Sequence, residues 1–413
     1  MARPKHAIIT QTAVNVPSIV SHVHTLRDYF DKVVPPEHGN VSLGEEDVLI
    51  LLLCGFFEPL TRSLRTLEQL AQVDSVKQHL QVEHVPKSTL ADALARFRTP
   101  HLRPLIQDLQ KQVPHLHHID PQLARAIPQK ILAGDGSLFR LAGEVTWAMR
   151  RCKNASGDID SQVKLNLLVD VKRWTMDDFV LTGGEHKGGE PAAMKSMLQS
   201  DVLYLFDRAY YPYNFINAVL DARANLVVRL KKDIPFRATS QRALCAKDVE
   251  ANVREDVVGF LGVADGCKSK APEQEMRLVT VWDEENQELV RLLTDLLDVE
   301  AWVIAYLYRC RWIIELFFRW LKVTAGFSHL LSTSPNGITL QFYVAMICTL
   351  LIHIRTGLPV DKYSLLALGL VAGGRCTYES QLPILLKRQR EKMLAKERRD
   401  RKKLQKTMAL PPG

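Results

Sequence analysis

The sequence predicts an α/β protein in which a mixed sheet is flanked by helices, with a helical N-terminal domain and a β-rich insertion. Three observations predict it. Residues up to about 98 carry apolar side chains at helical spacing. After Lys130 the texture turns to short apolar strands mixed with helical stretches. Between 231 and 300 strands recur with few helix signals. A chain of 413 residues, 46% hydrophobic and 24% charged, has an ordinary globular balance, which excludes disorder, collagen-like repeats and coiled-coil composition. At roughly 150 residues per domain its length suits two or three domains.

In order along the chain, residues 45–57 and 64–71 are apolar at helical spacing, and Pro86-Lys87-Ser88-Thr89 is a cap signal before a helix over 90–97. Short helices in this order fit a helix-turn-helix reader of DNA or a helical cap with no DNA contact, and no sharp motif separates the two. Prolines at 100, 104, 114, 121 and 128 mark a connector with one short helix between Pro104 and Val113. The cluster His115-Leu116-His117-His118 has no carboxylate or cysteine at ligand spacing and reads as a solvated loop. Strands are expected at 131–133, 163–171, 179–181, 202–206 and 226–230, and helices at 191–198 and 213–222. Further strands at 257–263, 276–282 and 289–293 make the β-rich insertion. A long helix from about 299 to 325, another at 339–355 and a charged helical tail complete the chain. The resulting division is 1–125, a helical domain with its connector; 126–230 and 299–375, the two parts of a core; 231–298, the insertion; and 376–413, the tail.

Lys and Arg outnumber Asp and Glu by 54 to 46, a formal charge of +8. Between Lys387 and Lys406 stand eleven basic and three acidic residues, so the tail carries the whole excess and the remainder is close to neutral. With little apolar face, this segment is expected to be mobile when free and to add salt-sensitive phosphate contacts. The seven cysteines (54, 152, 245, 267, 310, 348, 376) never form C-x-x-C, which argues against a disulfide framework or zinc finger and for a reducing cytoplasm. The opening residues show no signal peptide, and the apolar runs 48–57 and 342–352 fall short of the ~18 residues of a membrane span. A soluble, cytoplasmic protein without a membrane partner is expected.

The chemistry concentrates in three places. Asp135, in KILAGDGSLFRL, and Asp207, in DVLYLFDRAYYPY, sit where strands are expected to end, a position that suits metal binding and equally suits a plain strand cap. The third is YLYRCRWIIELFFRWLKVTAG, where Tyr308, Arg311, Glu315 and Lys322 follow at offsets of 3, 4 and 7. At 100° per residue these fall within an arc of about 60°, joined by Arg319, on a helix that is apolar around most of its circumference. A buried helix keeps such a stripe when something charged faces it; an internal ion-pair seam is the alternative.

The spacing Tyr-(2)-Arg-(3)-Glu-(6)-Lys resembles the Y-R-E-K pattern of bacterial DDE transposases of the insertion sequence four family. Asp207-Arg208-Ala209-Tyr210 resembles that family's D-R-G-Y around its second Asp, and Asp135-Gly136-Ser137 its first Asp, followed within two residues by Thr or Ser. The resemblance covers about 130–326. It implies a ribonuclease-H-like core in which Asp135, Asp207 and Glu315 are the catalytic residues and hold two Mg²⁺ ions, with Mn²⁺ as a substitute. Two cations about 4 Å apart suit an in-line phosphoryl transfer. It further implies DNA contacts from Tyr308, Arg311, Lys322, Arg319, Arg208 and Tyr210. The expected partners are transposon-end and target DNA, with a homodimer in a synaptic complex at the bacterial nucleoid. Hairpin-forming members carry a Trp in the stretch that corresponds to residues 288–294. None is present there, and Trp282 and Trp302 are near but displaced. Two rival readings are a nuclease or domesticated protein of the same fold without strand transfer, and a DNA-binding regulator with a dead core. The complete set of three acids argues against the regulator.

Overall fold

The structure is a computed structural model that describes residues 42–57, 63–114, 125–141, 148–153, 159–183, 189–262, 270–327, 330–372 and 375–408. The histidine cluster at 115–118 lies outside the described residues. By contact density the chain forms two compact units, residues 94–359 and a second unit of 1–93 with 360–413. The tail falls in the same unit as the N-terminal helices.

In the second unit the described helices are α1 (Glu45–Phe56), α2 (Leu64–Leu70) and α3 (Asp74–Lys77), followed by α4 (Lys87–Arg96), which crosses the unit boundary. Ser63 caps α2 by accepting from the Thr66 amide, while the Thr66 side chain answers the Ser63 amide. In the larger unit, α5 (Leu102–Gln112) admits Pro104 in its first turn, where the missing N–H has no intrahelical acceptor to lose.

The sheet is built from β1 (Lys130–Arg140), β2 (Met149–Lys153), β3 (Ile159–Asp170), β4 (Thr175–Thr182), β5 (Val202–Phe206), β6 (Asn225–Leu230), β7 (Phe236–Gln241), β8 (Val253–Leu261), β9 (Met276–Asp283) and β10 (Glu288–Thr294). These ten strands form one mixed sheet in the order β2-β3-β1-β5-β6-β10-β9-β8-β7, with β4 also paired to β3. The pairs β1–β5 and β5–β6 are parallel. The strands between 231 and 298 extend the core sheet through the antiparallel β6–β10 pair. The polar strand β7 has no apolar alternation for the sequence to show and is an exposed edge.

Every residue of β5 is buried, as expected of a central parallel strand covered on both faces. On one face α6 (Gly189–Lys195) and α7 (Tyr213–Asp221) bring Met194, Phe215, Ile216 and Val219 onto Tyr204, Phe206 and Leu226. A Cβ on Gly134 would lie 2.3 Å from Phe206 Cε1, so glycine is what lets this ring lie against β1.

After β7 the short α8 (Ala246–Glu250) precedes β8. Arg277 on β9 is fully buried, forks onto Asp256 of β8 at 2.7 Å through both Nε and Nη2, and donates to the Leu296 and Val299 carbonyls. Asp248 accepts from the Trp302 amide at 2.7 Å. Together these fix the entry of the next helix.

That helix was expected to run unbroken from about 299 to 325. It divides into α9 (Ala301–Cys310) and α10 (Ile313–Arg319), followed by a π-turn at Trp320–Thr324. Three-residue hydrogen bonds at Arg311, Trp312 and Ile314 tighten the join, and the Ala325 amide reaching the Trp320 carbonyl widens the end. Then α11 (Pro335–Thr356) starts from Ser334, which caps the Gly337 amide, and stops at Gly357 in the left-handed conformation, φ 64°. It is long and apolar enough to cross a membrane, yet 89% of its apolar window is buried in the protein, where Phe342 meets Phe139 and Phe179 of the sheet.

Beyond it lie α12 (Lys362–Ala372) and α13 (Tyr378–Met408). The basic tail is helical here. Lys392 pairs with Asp361, and the Arg388 guanidinium lies 4.0 Å from the centre of the Tyr363 ring.

Candidate active site

The site lies where β1 and β5 part. Their parallel pairing ends at Gly134 and Phe206, and β1 continues to Arg140 paired only with β3. Asp135 is therefore in the middle of a strand, opposite Leu167, and not at a strand end as the sequence suggested. It is still the first β1 residue beyond the β5 partner. Asp207 follows β5 directly and caps the turn Arg208–Tyr210 by accepting from the Ala209 amide at 2.8 Å. Both acids thus border the same notch in the sheet.

Alternation along β1 turns Asp135, Ser137 and Phe139 to one face, and α10 packs on that face. Arg311 Nη2 donates to Glu315 Oε1 at 2.9 Å, and Arg311 Nη1 lies 4.0 Å from Asp135 Oδ2. One guanidinium thereby links two of the three expected carboxylates. Lys322, carried by the π-turn, donates to Ser137 Oγ at 2.7 Å and stands over the Phe139 ring. Tyr308 lies beneath the Arg311 guanidinium, 5.7 Å from ring centre, and also feels the charge of Arg229 of β6.

The electrostatics follow from this crowding. Burial pushes the Asp135 carboxyl up to about 6. The Gly136 amide opposes that shift, the charges of Asp207 and Glu190 add to it, and Arg311 works against it. Burial also lowers the Lys322 ammonium. For Arg311 burial disfavours the charge, but Tyr308, Glu315 and Asp135 outweigh it and its pKa is raised.

The remaining expected residues divide. Arg208 and Arg319 are exposed. Tyr210 is not at a surface: its ring is fully buried, stacked on Phe206 at 4.6 Å, because it belongs to the core under α6 and α7. The stripe helix is less enclosed than its composition suggested, since Trp312 is 51% exposed and Leu316 and Val323 also reach solvent. An open groove is not what Arg311 meets, however, with a side chain only 13% exposed. Three residues that the sequence did not single out stand here as well: Arg229, Glu190 and Lys164. Each lies far along the chain from any motif. Trp282 on β9 is directly opposite Leu289 of β10, so the tryptophan missing from β10 has a cross-strand neighbour.

As a donor set the three acids would suit a hard divalent cation: all would offer carboxylate oxygens, and the repulsion that Asp207 adds to the burial of Asp135 is what such a cation relieves. Among the described residues, no three acidic, histidine or cysteine side chains are already gathered closely enough to hold one.

A family model described as "Transposase DDE domain" matches residues 127–351, more than half of the chain. The chain belongs to the DDE transposase family. Domains of this family generally use divalent metal ions. It is 29% identical over 188 residues to a protein of Sinorhizobium fredii named as transposase y4zB, covering 44% of this chain and 50% of that one. It is 24% identical over 203 residues to a protein of Geobacillus stearothermophilus named as a transposase for insertion sequence element IS5377, covering 49% and 51%. The chain thus spans about half the length of these curated relatives. A solved piggyBac transposase synaptic complex with hairpin DNA aligns with 89% of this DDE chain and 78% of its own at 12% identity and a TM-score of 0.39, too slight a likeness to bear on the fold.

Proposed function

We propose that this protein is a cut-and-paste transposase of the insertion sequence four group, acting on the terminal inverted repeats of its own element through a ribonuclease-H-like core. One observation carries the reading. Asp135 from the middle of β1 meets Arg311, which also holds Glu315 of the helix over the sheet, at the notch where β5 ends in Asp207. Acids alone at that point would repel one another. Acids interleaved with Arg311 and Lys322 suit a site that handles cations and phosphate together.

In this reading Asp135, Asp207 and Glu315 hold the divalent cations, Mg²⁺ with Mn²⁺ as a substitute. Those ions supply activation of the attacking oxygen and neutralisation of the leaving one. Arg311 and Lys322 oppose the charge of the phosphate undergoing transfer. Tyr308, beside Arg311 and Arg229, offers its hydroxyl proton to a phosphate oxygen. Arg208 and Arg319, both exposed, bind flanking phosphates, and the N-terminal helices and basic tail add contacts to DNA. The active assembly is a homodimer synapsing two ends and a target.

The test is cleavage and joining of DNA that carries the inverted repeats flanking this reading frame, with Mg²⁺ present. Asp135→Ala, Asp207→Ala and Glu315→Ala should each abolish cleavage while end-binding and folding persist. Mg²⁺-dependent nicking retained by any one of them removes that residue from the set. Cleavage never followed by joining favours a nuclease of the same fold.

A further inference from the structure

Glu190 is a carboxylate the three-acid reading does not use. Past Gly134 the edge of β1 toward β5 has no partner, so the sheet is open at Asp135 and Gly136. The first turn of α6 brings Glu190 up to that opening. A Cβ on Gly136 would stand 2.9 Å from Glu190 Cδ and 3.1 Å from its Oε1, so glycine is what allows the carboxylate to come against the strand backbone. Asp135 is the preceding residue and feels the charge of Glu190. The fully buried Tyr210 hydroxyl is affected by Glu190 more than by Asp135 or Asp207, and it closes no hydrogen bond of full geometry. Glu190 is held by Lys164, Nζ to Oε1 2.5 Å, with both side chains mostly buried.

We propose that Glu190 is a fourth carboxylate of the catalytic centre, transferred from Lys164 to the divalent cation when one binds. This rests on the reading of Asp135, Asp207 and Glu315 as the cation's ligands. A buried pair of this kind adds little to stability over apolar side chains of similar volume, so packing alone does not call for it. Beside two repelling acids, a carboxylate neutralised by a single ammonium has reason to exchange that partner for a dication. The buried Tyr210 hydroxyl, which has no partner of full geometry and feels Glu190, keeps a proton to donate in this region.

Mn²⁺ binding to the full-length, DNA-free protein, followed by electron paramagnetic resonance, tests it with four proteins: wild type, Asp135→Asn, Glu190→Gln and Lys164→Met. Glu190→Gln keeps an acceptor for Lys164 and should melt with the wild type while its Mn²⁺ affinity falls about tenfold or more, as does that of Asp135→Asn. Lys164→Met should tighten Mn²⁺ binding, a change that a purely structural pair does not produce. Unchanged affinity in both Glu190→Gln and Lys164→Met, beside a weakened Asp135→Asn, overturns the role of Glu190 alone. Unchanged affinity in Asp135→Asn overturns the underlying ligand assignment. If Glu190→Gln does not fold, Lys164→Met decides: tighter binding supports the proposal and unchanged binding overturns it.

Discussion

Arg311→Ala should destabilise the metal-free protein by about 2–3 kcal/mol, and a divalent cation should restore most of that loss. The guanidinium lies 2.9 Å from Glu315 and 4.0 Å from Asp135. At an effective dielectric of ~20 these contacts are worth roughly 6 and 4 kcal/mol gross, before the cost of burying the charge is subtracted. Breaking one side of a buried pair typically costs about 3–5 kcal/mol. Glu315 is 34% exposed, and solvent screening moves the expectation to the low end of that range or below it. Arg311 Nε is buried without an acceptor, which trims the native gain further. Without Arg311, Asp135 and Glu315 both lose the cation they share, and a dication is the natural replacement. The assay is urea denaturation followed by tryptophan fluorescence, for wild type and variant, in EDTA and with Mg²⁺. A loss that Mg²⁺ leaves untouched would mean a structural ion-pair seam. No loss at all would mean a solvated groove, and either result refutes the reasoning.

Acid should find a different weak point. His353 on α11 is fully buried with neither ring nitrogen bonded, and burial lowers its pKa to about 4. The unfolded chain takes up this proton near pH 6.5, before the folded one does, so stability falls as pH drops from about 6.5 to 4, by about 3 kcal/mol in all. His353→Leu should flatten that slope in urea unfolding between pH 7 and 4, and parallel curves for the two proteins would count against the assignment. The two glycines of β1 should separate in a thermal melt. Gly134→Ala drives a methyl into the buried Phe206 ring and should cost about 3 kcal/mol, while Gly136→Ala meets only the movable end of Glu190 and should fold with a smaller loss. Equal losses would show that the Phe206 ring can yield.

The sequence by itself determined the element types of the core, the strand VLYLF that ends in Asp207, and the Y-R-E-K stripe. Each is a local pattern: a run of apolar residues, or a polar stripe at helical spacing on an otherwise apolar helix. Tertiary structure decided what those patterns face. Asp135 looked like a strand terminus because glycines on both sides of it interrupt the apolar run. Those glycines serve close approach by Phe206 and Glu190, and the strand continues through them. Tyr210 and Arg208 are two residues apart, and only packing under α6 and α7 sends one ring into the core and leaves the other side chain in solvent. The tightened join after α9 and the π-turn that sets Lys322 over Ser137 carry no sequence signal, since they depend on where the helix must meet the sheet. Glu190, Lys164 and Arg229 escaped notice for the same physical reason. A charge acquires its role from the charges brought beside it, and strand pairing brings those together from positions remote along the chain.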